Sequence, residues 1–377
     1  MRIVENSPGR CLLLCCIFTL VAATPLAGAD RVISGVGVVG PEGSISPAMA
    51  VVIDQDGQVS AVIPADQVDP TMVEIKAPNG SVITPGLHDL LGSLGATGAL
   101  AAGTKLIDAD LRAADAFDST DPNLEKAARN GILHTTIAAL PRGLLNGHTA
   151  TFVCQQSASA RPLGPGKPFY ALAESALNSS REPTSRVAMV SMWKEWLATS
   201  DASEQIPGIL FCPKPLDLRQ SLDIGWSELP VLVHSGDARS PLERLAGRQA
   251  LMVVGPFLEG GDAAQVRSAV KASAAGVELA FAGGLPAGPA DHLRRSAAIA
   301  VAAGLDADAA RRALFSNPAR ACGVSSIGLI EPGARADLVL FSADPLDPAA
   351  QVLQIWRAGK RLRVAAPGKI SELEVPR

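Results

Sequence analysis

The chain has 377 residues, 47% of them hydrophobic and 19% charged, with a formal net charge of −4. That length suits one large domain or two modest ones, and with aromatics at only 4% the core must be built from small aliphatic side chains. A negative balance and a single tyrosine exclude both a basic field and a stacking platform for nucleic acid.

Residues 1–29 read as a secretory signal. Arg2 and Arg10 accompany the apolar run "CLLLCCIFTLVAA" (Cys11–Ala23), and Ala27–Ala29 offer small residues for cleavage before Asp30. The run has 13 residues and Pro25 follows it, so it is too short to span a bilayer comfortably, and no stable membrane span is expected after cleavage. A periplasmic or extracellular protein with net charge −5 would remain, because Arg2, Arg10 and Glu5 are lost. Cys11, Cys15 and Cys16 lie in this segment. Cys154, Cys212 and Cys322 remain, without the CxxC spacing of a metal site. Three buried thiols are expected, with one disulfide as the alternative in an oxidising compartment.

From Asp30 to Thr84 the stretches "RVISGVGVVG", "AMAVVIDQDGQVSAVIP" and "GSVIT" predict short strands around turn signals such as "DQDGQ". The middle of the chain alternates. Apolar runs ("TTIAAL", "GILFC", "LPVLVHS", "ALMVVGPF", "VELAFAGG") are separated by helical patterns such as "DPNLEKAARNG", "PTSRVAMVSMWKEWLA" and "DADAARRALFSNPAR". That order implies parallel βα units, and about 240 residues is the usual size of a (β/α)8 barrel of the TIM type. "ADLVLFSADP" and "VLQIWRAGKRL" return to strands. Each flanking piece is too small for its own core. The two, 30–84 and 324–365, are therefore expected to pair into one small β-sandwich beside an α/β barrel over 85–323.

Three stretches together resemble the metal-dependent amidohydrolase superfamily. "PGLHDLLGSLG" keeps Pro85, Gly86 and Asp89 of that family's Pro-Gly-x-x-Asp-x-His-x-His strand. "SNPARACGV" followed by "IGLIEPGARADLVLFSADPLDPAAQVLQIWRAGKRL" is similar to its C-terminal signature. "LPRGLLNGHTATF" is similar to a loop, and "PTSRVAMVSMWKEWL" to a helix, of its periplasmic subgroup. The resemblance implies a barrel, a composite β domain and a hydrolase that works through a divalent metal. In that chemistry the metal lowers the pKa of a bound water, and an aspartate takes its proton.

The same resemblance implies that the metal ligands are gone. Leu91 and Ser93 stand at the two histidine positions, and Gly284 stands where the aspartate is expected. His234, at the end of "LPVLVHS", is the surviving candidate for catalysis. Asp89, His148 and Asp237 are candidates to line the mouth. Strand alternation would place Asp89, Leu91 and Ser93 inward and His88 toward the helices. His134 opens a strand, at the wrong end for chemistry, and His292 opens a helix as a solvated residue. A nucleophilic set of His234, Asp237 and a nearby serine lacks any GxSxG elbow. No cofactor is expected. The reading is an inactive member with a binding or assembly role toward a small molecule, a protein partner or a second copy of itself. The alternative is an active carbon–nitrogen hydrolase with a relocated zinc held by His234, His148 and carboxylates.

Overall fold

The computed structural model describes residues 29–96, 98, 100–101, 105–199, 207–236, 241–261 and 263–362. The proposed signal segment, up to residue 28, and Asp237 lie outside them.

Both chain ends build one eight-stranded sheet. The N-terminal part supplies β1 (Ala29–Val39), β2 (Ile45–Asp54), β3 (Val59–Pro64), β4 (Glu74–Lys76) and β5 (Val82–Pro85). Period-two alternation gives it two buried faces. Ile33, Val51 and Ile53 pack with Trp356 on one, and Val32, Ala50 and Val52 pack on the other. The predicted "DQDGQ" turn forms with Gly57 at φ +78°. A Cβ there would stand 2.1 Å from the Ala358 carbonyl oxygen, so the turn packs directly on the C-terminal strands. Those strands are β16 (Leu338–Phe341), β17 (Val352–Arg357) and β18 (Lys360–Leu362). The two ends meet where β16 pairs antiparallel with β5, Leu338 opposite Pro85.

The middle of the chain carries ten further strands. They are β6 (Leu87–Gly92), β7 (Ile107–Arg112), β8 (Ile132–Ile137), β9 (Leu145–His148), β10 (Ala150–Val153), β11 (Pro168–Ala171), β12 (Ile209–Phe211), β13 (Val231–Val233), β14 (Leu251–Val254) and β15 (Glu278–Phe281). β11 to β15 run parallel in order, and β6 runs parallel to β8. An isolated parallel bridge between Leu90 and Ala282 joins β6 to the end of β15.

This is a TIM-type arrangement of seven parallel strands among the described residues, not the closed ring of eight that chain length suggests. The departure falls between β8 and β11, where no crossover helix intervenes. "LLNGHTATF", expected as a loop, is instead a bent strand. β9 pairs antiparallel with β11 and β10 pairs antiparallel with β8, with only Thr149 between them. Gly147 makes the bend at φ +69°, where a Cβ would meet the Leu111 carbonyl oxygen at 2.1 Å.

Among the described residues eight helices follow the strands: α1 (Pro122–Arg129), α2 (Arg186–Thr199), α3 (Pro215–Ser221), α4 (Leu242–Leu245), α5 (Ala263–Ala274), α6 (His292–Ala302), α7 (Ala307–Leu314) and α8 (Ser316–Cys322). Side-chain capping fixes the starts of α1 and α7. Asp121 accepts from the Asn123 amide at 2.8 Å, with Pro122 at the first helical position, and Asp306 accepts from the Ala309 amide at 2.9 Å. Leu210, Leu232, Met252 and Leu279 face the helices. Leu90, Leu251, Val253 and Ala280 face the interior, which α8 plugs with Ala319, Ala321 and Cys322. Trp193 and Trp196 pack with Tyr170 and Trp226, as their helical spacing predicts. Cys154, Cys212 and Cys322 are free, buried thiols. Among the described residues no helix is long and apolar enough to cross a membrane.

A buried acid ties the barrel to the end sheet. Asp337 accepts from the Ala358 amide (2.6 Å), from Arg335 Nε (2.6 Å) and from His134 Nε2 (2.9 Å), while its own carbonyl accepts from the Gly86 amide (2.9 Å). Burial alone would raise its pKa. The bonds from His134, Arg335 and Ala358 outweigh that and hold it below the usual carboxylate value. Its contribution to stability is therefore complete above the ordinary aspartate pKa and is lost as pH falls through the lower folded value. Asp337→Ala is expected to cost about 3 kcal/mol or more, because the buried His134, Arg335 and the Ala358 amide all lose their acceptor. Urea denaturation at neutral pH measures this, and a loss below about 1 kcal/mol would show that the joint contributes little.

Candidate functional site

β6 delivers the side chains of the family-like strand, but in the opposite parity to regular alternation. His88 and Leu90 face the interior. His88 Nε2 lies 2.7 Å from Thr136 Oγ1, and that hydroxyl also meets Thr151 Oγ1 (2.8 Å) and Cys322 Sγ (3.1 Å). Asp89 turns outward to the loop after β15, so the expectation that it faces the mouth and His88 the helices is reversed. The cause is a bulge between Leu90 and Gly92, at which Leu91 takes φ +60°. The bulge consumes one residue of alternation, so Leu90 and Leu91 both reach apolar neighbours of the interior.

Asp89 is fully buried. Its Oδ1 accepts from the amides of Gly284 (2.9 Å) and Leu285 (3.3 Å). His292 Nε2 approaches the same oxygen to 3.1 Å without hydrogen-bond alignment, while its Nδ1 meets the Pro289 carbonyl at 3.0 Å. His292 is thus a buried partner of Asp89 and not a solvated residue. Its helix carried the signal: His292, Leu293, Ser296, Ala297 and Ala300 form one buried face at helical spacing.

At the carboxyl ends of the strands lies a cavity of about 470 Å³. It brings together Leu91, Ser93 and Gly284, the three positions read as lost ligands, with His234, Phe169 and Phe211. His234 is buried, and its Nδ1 donates to the Cys212 carbonyl at 2.7 Å, which fixes the ring between neighbouring strands. Asp89 and His148 do not line the cavity. His148 sits on β9 opposite Arg112, half-buried, with its pKa lowered by burial and by the Arg112 charge. His134, bonded to Asp337, lies on the side of the end sheet.

This donor set does not fit a divalent ion. A catalytic zinc takes three protein ligands, and the cavity wall offers one imidazole already engaged at Nδ1. Asp89 points the other way with Oδ1 committed to amides. Among the described residues no group of three His, Cys, Asp or Glu side chains is placed to hold a metal.

Residues 264–370 match the amidohydrolase family. The fold is similar to that of an amidohydrolase from Thermotoga maritima MSB8, with a TM-score of 0.71 and 18% identity over 89% of this chain and 100% of that one. An adenosine deaminase from Xanthomonas campestris with bound zinc gives 0.53 at 17% identity, over 88% and 92%. A prolidase complexed with N-methylphosphonate-L-proline gives 0.52 at 13%, over 88% and 99%. No curated protein matches significantly. The C-terminal match and the shared fold support placing the chain in the amidohydrolase superfamily.

Two measurements test this geometry. Asp89→Ala is expected to lower stability by about 3 kcal/mol, because it strips two loop amides of their acceptor and leaves a space beside the buried His292 ring. Ser93→Ala should stay within about 1 kcal/mol, and comparable losses in urea melts would contradict the unequal roles assigned here. The second concerns pH. Burial, and then the neighbouring His134, hold the His88 pKa well below the usual imidazole value. The unfolded chain therefore takes up that proton at higher pH than the folded one, and stability declines as pH drops below about 6.5. His88→Gln is expected to flatten the decline between pH 7.5 and 5.5, read from urea midpoints, and an unchanged slope would remove His88 as its source.

Proposed function

We propose that this amidohydrolase-superfamily chain is a non-catalytic, exported binding protein that uses its barrel mouth to hold a ligand. One observation carries the reading: the three positions at which the family places metal chemistry hold Leu91, Ser93 and Gly284, and all three converge on one cavity. Two further features support it. Leu91 adopts φ +60°, a conformation in which His, Asn and Asp are enriched and a bulky apolar residue is an outlier. The backbone there suits a histidine better than the residue it carries. A Cβ at Gly284 would meet the His292 ring at 3.6 Å (a carbon) and 3.9 Å (Nε2) and a Pro256 carbon at 3.9 Å, ordinary contacts that leave space for a side chain to begin there. Export rests on the apolar segment Cys11–Ala23 behind Arg2 and Arg10.

A relocated site built on His234 and His148 has weak geometric support, because His148 does not line the same cavity. Elemental analysis of the purified mature protein tests the proposal. Zinc and manganese are expected well below one per chain even after supplementation, and a stoichiometric ion retained through gel filtration would overturn it. Leu91→His/Ser93→His/Gly284→Asp is the complementary variant, expected to retain zinc under the conditions in which the natural sequence does not.

A further inference from the structure

We propose that the barrel mouth selects an uncharged, mainly apolar small molecule; this rests on the reading of the mouth as a metal-free binding site. Three observations carry it. The first is size: about 470 Å³ falls in the range of cavities that enclose most of a small molecule's surface. The second is the wall. Phe169, near the start of β11, and Phe211, the last residue of β12, belong to one apolar cluster with Leu91 and Val233. Such rings favour flat or bulky hydrocarbon.

The third observation is charge. Among the described residues that line the cavity, none is an acid, a lysine or an arginine. The nearby carboxylate Asp89 is turned away and engaged by the Gly284 and Leu285 amides. A carboxylate, phosphate or ammonium entering this space would be stripped of water with no counter-charge among the described lining residues to receive it. A neutral ligand avoids that loss. Ser93, Ser235 and His234 place a few polar atoms on the wall, enough to orient one or two hydrogen-bonding groups on an otherwise apolar body.

A matched pair of fluorescent probes tests this. N-phenyl-1-naphthylamine is neutral, and 8-anilinonaphthalene-1-sulfonate carries the same rings with one sulfonate. The folded full-length mature protein is expected to bind the neutral probe saturably at one site and the anionic probe at least about tenfold more weakly. Absence of saturable neutral binding, or equal or tighter anionic binding, would overturn the inference. Leu140, 42% exposed at the rim, supplies a variant that leaves folding intact. Leu140→Lys is expected to raise the affinity for the anionic probe relative to the neutral one several-fold, and an unchanged ratio would place the probes elsewhere. Metal content decides the preceding proposal and probe selectivity decides this one. A metal-free protein that prefers the sulfonate would sink only the ligand class, and a metalloprotein that prefers the neutral probe would sink only the non-catalytic reading.

Discussion

The buried carboxylate of Asp89 is the contact that ties the first parallel strand to the loop after the last. It receives the amides of Gly284 and Leu285 and sits against His292. That fastens the loop after the last parallel strand to the first one. The seam has few other ties: the Leu90–Ala282 bridge, the Gly283 amide on the Leu90 carbonyl at 2.6 Å, and the Ser93 amide on the Leu285 carbonyl at 2.9 Å. The carboxylate also dictates its neighbours. A Cβ at residue 92 would stand 2.0 Å from Oδ2, and one at residue 283 would stand 2.7 Å from Oδ1. Both positions are glycine because Asp89 occupies the space a side chain would need.

Against that clamp, the family-like strand divides into two kinds of residue. Those that match the pattern have structural work. Pro85 pairs opposite Leu338 across the domain joint. Gly86 lets β6 approach β8 so closely that a Cβ would lie 2.5 Å from that of Leu133. Asp89 ties β6 to the loop after β15. Those that depart from the pattern, Leu91, Ser93 and Gly284, all touch the cavity. Residues at the mouth can differ without disturbing the frame, because they project into the cavity while the frame's contacts lie behind the strands.

Much of this was legible in the sequence, and what was not has physical causes. The pairing of the two chain ends followed from two β-rich pieces each too small for a core, and the C-terminal signature located β16 and β17. The resemblance picked out residues 91, 93 and 284, and His234 was picked out by its place at a strand's carboxyl end; all four line one cavity. The parity of β6 did not, because period-two reasoning presumes a regular strand and the bulge at Leu91 spoils it. The bent strand through Thr149 was hidden for a similar reason: "NGH" looks like a loop, and only the antiparallel partners on each side make it β structure. His292 was misplaced because its position at a helix start was weighed and its buried face was not.

Magnitude decides how such a mouth is tolerated. A sealed apolar void of about 470 Å³ would cost on the order of 11 kcal/mol at about 24 cal/mol per Å³. That is as much as a typical domain's whole stability, so a void of this kind would collapse. The cavity persists because it is open at the rim, where Leu140 is 42% exposed, and because rigid strands hold its walls apart. Leu91 fits the same logic. Its backbone conformation costs about 1–3 kcal/mol, and it is kept in place by the bulge that continues β6 into the loop fastened at Leu285. A wall held rigid at that cost, apolar and open on one side, retains a standing free-energy gain for any neutral molecule that covers it.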